Sequence, residues 1–438
     1  MEPWQHTYKD KLISAQAAAQ LTISGQLVRL HIGKPPIPIL DALAKRNGQL
    51  EDVTLIQCFP LYNHPIWNEP GYEQSFHLIV DYVGAGCRQG MQQHYVDFLP
   101  LDYPQYAKQV EDGRTNTWQA DIFYGVVSPP DERGYCSFGN ALWYNKDAAR
   151  AATCFVAEVD PTFIRTHGDN WIHVSEIDYL VEETAPFPVG TAPPPVEERG
   201  TLEVIGEFAA GLIRDGDTVQ MGIGAISEAI GLFLMDRNDL GIHSEIMTAS
   251  HVELVKRGIA TGKYKTSHQG KAVAAMVVGG ADLEFVDNNP AFELYSVLYT
   301  NSLLNIAAQN HQVAVNSTLA IDLTGQAAAE SLGPQMYSGI GGQMTFMMGA
   351  MYSHGGRSIM VLPSTAKRGQ LSRIVPMLEP GSTLTTPRQY ADYVVTEFGI
   401  VNLQGKTQRQ RAEALIEIAH PDFQPELKAQ ARRMFWPV

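Results

Sequence analysis

A chain of 438 residues with 45% apolar and 18% charged side chains is long enough for two hydrophobic cores and too apolar for a disordered or fibrous protein. Its formal charge of -15, with no run of Lys or Arg, opposes association with phosphate backbones or anionic lipid, so neither nucleic acid nor membrane is an expected partner. A local cradle of backbone amides can still bind an anion within an acidic protein.

The N-terminus, MEPWQHTYKDKL, is polar, and nowhere do about 18 uninterrupted apolar residues occur, so a cytoplasmic location is expected. The four cysteines, Cys58, Cys87, Cys136 and Cys154, form no CxxC pair and no zinc-type spacing with His, which predicts buried free thiols rather than a disulfide framework or a metal cage. In chain order, QLVRLHIG (26–33), DVTLIQCF (52–59), ADIFYGVV (120–127) and ATCFVAEV (152–159) are short apolar runs of strand type. Helix-compatible stretches such as ILDALAKR (39–46) separate them, giving an α/β layer domain over 1–183. The segment TAPFPVGTAPPP (Thr184–Pro195) removes backbone donors and disfavours helix, which sets a Pro-rich connector over 184–199. The pattern then restarts: TLEVIGEFAAGLI reads as a helix, DTVQMGIG as a strand running into a glycine turn and AISEAIGLFLM as the next helix. A second α/β domain over 200–438 follows, and the two halves could be a distant duplication.

Two glycine-rich turns carry the chemistry that the second half suggests. GIGAI (Gly222, Ile223, Gly224, Ala225, Ile226) joins a strand to a helix, where small residues admit a bound group and the helix N-terminus favours an anion. SGIGGQMTF (Ser338–Phe346) offers consecutive flexible residues that can form a nest of amides around a phosphate or an oxyanion. Each alone is a common tight turn; together they point to a ligand crevice at the strand ends of an open sheet. GIVNLQGKT (Gly399–Thr407) has five residues before its GK pair where a phosphate-binding P-loop has four, which argues against ATP hydrolysis. His243, His268, His311 and His354 form no HExxH or similar spacing and read as packing or surface residues, and no GxSxG elbow is present.

Taken in order, VSPPDERGYCSFG from Val127, RTHGDNWIHVSEIDYLVE from Arg165, GIGAI, GIHSE from Gly241 and FVDNNPAFELY from Phe285 resemble the family I CoA-transferases of the acetyl-CoA hydrolase/transferase branch. So do VNSTLAIDLTGQ from Val315, SGIGGQ, LPSTAKRGQLSRIVP from Leu362, VVTEFGIVNLQGKT from Val394 and IAHPDFQPEL from Ile418. The resemblance spans nearly the whole chain. It implies two tandem open-sheet α/β domains, a homodimer or higher homo-oligomer, and coenzyme A as a substrate with no permanently bound cofactor. It also selects Glu245 of GIHSE as the catalytic carboxylate; composition and spacing do not.

A carboxylate nucleophile suits acyl-CoA chemistry, because its attack on the thioester gives an anhydride that CoA thiolate can reopen, leaving a glutamyl-CoA thioester for a second acid. The implied activity is ping-pong transfer of CoA between short acyl-CoA and a small carboxylate, with acetate, butyrate, 4-hydroxybutyrate, succinate and itaconate all admissible. An acyl-CoA hydrolase and a non-catalytic CoA-binding protein on the same fold are the alternatives. By resemblance, Gly222 to Ile226 and the amides around Gly341 and Gly342 line CoA and the oxyanion, with Ile321 nearby and Lys367 as a phosphate partner. Glu397 of TEFG is a structural or site-orienting carboxylate. Three positions depart from the family pattern: Ser227 stands for a proline, Thr345 for an aspartate, and IGKPPIPIL replaces a glycine-glutamate-proline arrangement, a change that bears on substrate choice.

Overall fold

The computed structural model describes residues 2–104, 119–187, 196–278 and 280–437. They fall into two compact α/β units, one built from 1–190 with 283–299 and the other from 191–282 with 300–438. Half of the expected connector, 188–195, lies outside the described residues, and a helix (Val196–Gly211) occupies its end from Val196 onward. The return of 283–299 to the first unit is a crossover that a single linear cut does not contain. It is held by the amide of Asn288 donating to Arg165 O (2.7 Å) and by parallel pairing of Phe292–Leu294 with His167–Gly168.

The first unit's main sheet has seven strands, all paired in parallel, in the order Tyr179–Val181, Cys154–Val159, Ile122–Val127, Leu27–Leu30, Val53–Ile56, Phe76–Val80, Val96–Phe98. Each apolar run read as a strand in the sequence is one. Ile122–Val127 is buried at every residue, as a central parallel strand covered on both faces must be. The helix Ile37–Ala44 starts with proline in its first turn, where the missing donor has no helical partner in any case.

In the second unit the strand order runs Gly399–Asn402, Tyr393–Thr396, Arg357–Val361, Gln312–Ser317, Thr218–Met221, Gly241–His243, Ala272–Ala274. All neighbours are parallel except the first pair, a hairpin. The chain moves outward in one direction from Thr218–Met221 and then resumes on its other side at Gln312–Ser317. That reversal is the switch point at which open parallel sheets bind ligands, outside the carboxyl ends of the strands. Beneath it lies a core that includes Ile321, Phe346, Met360, Val394 and Leu415, each fully buried. Under the opposite, amino end of the sheet Arg357 ion-pairs with Asp217, side chains 7% and 3% exposed, and its Nε donates to Leu212 O (2.7 Å).

Candidate active site

The switch point of the second unit assembles from backbone first. Met221 ends a strand, and Gly222 donates to Val315 O (3.0 Å) on the neighbouring strand. Gln220 and Asn316, one from each strand, exchange amide hydrogen bonds at 3.2 and 3.0 Å. A side-chain carbon on Gly222 would sit in ordinary van der Waals contact with Asn316 Oδ1, 3.8 Å away, so space above that pair does not by itself require glycine. Gly224 has φ 120 and caps the helix Ala225–Phe233, a backbone state that L side chains rarely adopt. Ile223 is exposed while Ile226 and Ser227 are buried, so the GIGAI turn presents its first residues outward and anchors itself through its last.

Glu245 follows the strand Gly241–His243 and is half-buried; its carbonyl accepts from Ala275 N (3.0 Å). Its carboxylate oxygen Oε2 accepts a short hydrogen bond from Nδ2 of Asn301, a residue 1% exposed. Gly342 closes in from a third segment. A side-chain carbon there would collide with Glu245 Oε2 and Asn301 Nδ2 and crowd Phe346, so glycine lets the loop before the helix Gln343–Tyr352 reach the carboxylate without displacing either side chain. Gly341 supplies the turn at φ 51. Three segments far apart in the chain thus meet on one carboxylate, and the second glycine cluster is one of them.

The remaining residues singled out from the sequence are placed differently. Ile321 has no exposed surface, and its amide donates to Arg373 O (2.9 Å), so it packs under the crevice. Lys367 is exposed at a hairpin turn with φ 49, and its ammonium makes no hydrogen bond or ion pair among the described residues. Glu397 accepts from the amide (2.8 Å) and the hydroxyl (2.6 Å) of Ser364, which ties the turn after Arg357–Val361 to the edge hairpin. Ser227 is buried in the first turn of its helix, and Thr345 is half-buried in the helix that Gly342 caps.

Sequence reasoning missed Asn301. It lies in TNSLLN, a segment without motif character, and only its contact with Glu245 singles it out.

In the first unit Lys34, the cation within IGKPPIPIL, ion-pairs with Asp160 and donates to Thr184 Oγ1 (2.9 Å). Beside it Glu158 is fully buried, with no well-formed hydrogen bond to either carboxyl oxygen among the described residues and the Thr184 side chain close enough to favour its charged form. Burial pushes its carboxyl up to about 8 against the pull of the Lys34 ammonium. The cysteines are free thiols, three buried and Cys154 half-buried. No cluster of three or more His, Cys, Asp and Glu suited to a metal occurs among the described residues, and no helix there is long and apolar enough to cross a membrane.

Residues 2–190 match the acetyl-CoA hydrolase/transferase N-terminal domain, and residues 281–431 match the C-terminal domain of the same family. The 4-hydroxybutyrate coenzyme A transferase of Clostridium kluyveri is 39% identical over 99% of this chain and 100% of its own. Succinyl-CoA:cyclohexane-1-carboxylate CoA transferase of Geobacter metallireducens is 38% identical over 98% of this chain and 97% of its own. The crystal structure of RipA from Yersinia pestis superimposes with a TM-score of 0.89 at 34% identity, covering 98% of this chain and 99% of that one. With both domains matched and full-length relatives above 30% identity, the chain belongs to the acetyl-CoA hydrolase/transferase family of coenzyme A transferases.

Proposed function

We propose that the protein transfers CoA between short-chain acyl-CoA and a small carboxylic acid through a covalent glutamyl-CoA thioester on Glu245. The observation that carries this reading is the half-buried Glu245 carboxylate held by Asn301 Nδ2 and approached by Gly342 at the sheet's carboxyl end.

In the first step a Glu245 oxygen attacks the thioester carbonyl, the C–S bond breaks, and CoA leaves as thiolate, giving a mixed anhydride. The thiolate then attacks the Glu245 carbonyl carbon, releasing the first acid as carboxylate and forming the glutamyl thioester. An acceptor carboxylate reverses both steps, so no net hydrolysis occurs and the energy of the thioester is kept. Each attack passes through a tetrahedral oxyanion. The Asn301 amide that donates to Glu245 Oε2 is already turned toward the oxygen on which that charge develops during attack on the glutamyl carbonyl, and removing one such donor costs about 10²–10³ in rate in comparable acyl transfers. The GIGAI turn, with its exposed backbone and a helix N-terminus behind it, suits the anionic part of CoA.

The acids named for the relatives run from 4-hydroxybutyrate to cyclohexane-1-carboxylate, so the acceptor class is small carboxylates without a single choice among them. Homo-oligomeric assembly and a cytoplasmic location complete the reading. An acyl-CoA hydrolase would use the same carboxylate but admit water to the intermediate.

Intact-mass analysis and peptide mapping after mixing the protein with acetyl-CoA or butyryl-CoA and no acceptor test the reading. A CoA adduct on the Glu245 peptide, discharged by acetate or succinate, is the expected result. Free CoA released with no adduct trapped would replace it with the hydrolase.

A further inference from the structure

Asn301 is useful to Glu245 only in one of its two amide orientations. Turned by 180°, the side chain would present Oδ1 to a carboxylate, two acceptors facing each other, with Nδ2 on the far side. Asn301 is 1% exposed, so water does not correct either misplaced end. We propose that Thr300 is a positioning residue whose hydroxyl selects the productive orientation of the Asn301 amide, and that His243 holds Thr300 in place for this. The proposal rests on the reading of Glu245 as the nucleophile.

The hydrogen bonds run in one sense. Thr300 Oγ1 donates to Asn301 Oδ1 at 3.0 Å, which commits the oxygen end of the amide and leaves Nδ2 to donate to Glu245 Oε2. Thr300 is itself fully buried at the end of a short helix, Val297–Thr300. Its carbonyl accepts from Nε2 of His243 at 2.9 Å. A carbonyl only accepts, so this bond fixes the tautomer: the hydrogen is on Nε2, and Nδ1 is a bare lone pair with no partner among the described residues. His243 is fully buried, and burial together with the nearby Lys265 ammonium pushes it down to about 3, which keeps the imidazole neutral and the donor unchanged through the neutral range. The carbonyl of His243 in turn accepts from Gln312 Nε2 (3.2 Å), on the strand Gln312–Ser317 that borders the switch point.

The consequence is a shared frame. His243 and Glu245 lie two residues apart on one segment, so the group that places Thr300 is fixed to the backbone that carries the carboxylate. The distance from Asn301 Nδ2 to Glu245 is then set by a closed loop of hydrogen bonds through Thr300 and His243 rather than by the packing of the helix Leu303–Ala308 that follows. A side-chain hydroxyl is the one feature of Thr300 this loop requires toward Asn301. Valine matches its shape and lacks that donor.

The test is a set of five variants, T300V, T300S, N301A, T300V/N301A and E245A, assayed for CoA transfer from acetyl-CoA to succinate and checked for retained fold by thermal melting. T300V is expected to lose about 10–100-fold in kcat, the scale of a misplaced catalytic contact, while KM for acetyl-CoA stays within about 2-fold because ground-state binding is untouched. T300S, which restores the hydroxyl, returns most of the rate. If Thr300 acts through Asn301, T300V/N301A is no slower than N301A alone. Wild-type kcat in T300V, equal loss in T300S and T300V, or multiplied losses in the double variant would each overturn the proposal. E245A separates the two levels: an active E245A removes the nucleophile reading itself, whereas a dead E245A beside a fully active T300V removes only the positioning role.

Discussion

Replacing Glu158 by Gln isolates the cost of burying an ionisable carboxyl in the first unit. The side chain is fully buried on the strand Cys154–Val159 with no well-formed hydrogen bond to either oxygen among the described residues, and its charged form is disfavoured by burial and helped by Lys34 and by the Thr184 side chain, with Asp160 and Glu183 opposing. The result is a carboxyl raised from 4.5 to about 8. Below pH 4.5 both the folded and unfolded chains hold the proton and the group is neutral to stability. Between that point and about pH 8 the unfolded chain releases a proton that the folded chain keeps, so stability falls as pH rises and levels off above. At about 1.4 kcal/mol per pKa unit, that shift amounts to roughly 3–5 kcal/mol across the window. Glutamine removes the titration and leaves the shape. Hydrogen exchange of the 154–159 amides, corrected for intrinsic rate, reads the local opening free energy of both proteins from pH 5 to 8.5. The wild type is expected to lose those kcal/mol relative to E158Q over that range; parallel curves for the two proteins would refute the argument, since a solvated or hydrogen-bonded Glu158 gives no such difference.

Gly342→Ala places a methyl against Glu245 Oε2 and Asn301 Nδ2, and a displacement near 1 Å there should cut kcat by about 100-fold with the melting temperature lowered only slightly, as steady-state kinetics and calorimetry will show. Asp217→Ala leaves the Arg357 guanidinium buried without its carboxylate, a change expected to cost about 3–5 kcal/mol in urea unfolding of the second unit. Buried His31 is pushed down to about 3 by desolvation and by Lys34, so the stability it contributes is present above pH 6.5 and lost as pH falls toward 3; His31→Gln should flatten the acid limb of a pH–melting profile relative to the wild type. Glu397→Ala frees the amide and hydroxyl of Ser364, and a loss of about 1–3 kcal/mol with exchange activity retained would mark its role as structural.

Much of the fold was readable because parallel strands buried on both faces are written as short continuous apolar runs. LVRL, VTLI, IFYGVV and CFVAEV each became strands of one sheet, and the glycine turn after DTVQM fell at the switch point. The excursion of 283–299 into the first unit was not readable, since FVDNNPAFELY carries nothing that names its pairing partner; His167–Gly168 supplies it. Ile321 and Lys367 show the same limit from the other side. A motif fixes which residues lie near in sequence, while burial of one and exposure of the other depend on how the strand Ala320–Asp322 and the Thr365–Ser372 hairpin pack.

The sequence alone determined an α/β chain with two glycine turns and, by resemblance, the expectation that Glu245 is the catalytic carboxylate, because periodicity and motif order are local properties of the chain. Only the tertiary structure decided what surrounds that carboxylate. Asn301 is 56 residues away, its amide orientation depends on Thr300 and His243, and the need for glycine at 342 arises from atoms of Glu245 and Asn301 that only folding brings together. Such requirements are set by distances across the fold, and no periodicity along the chain encodes them.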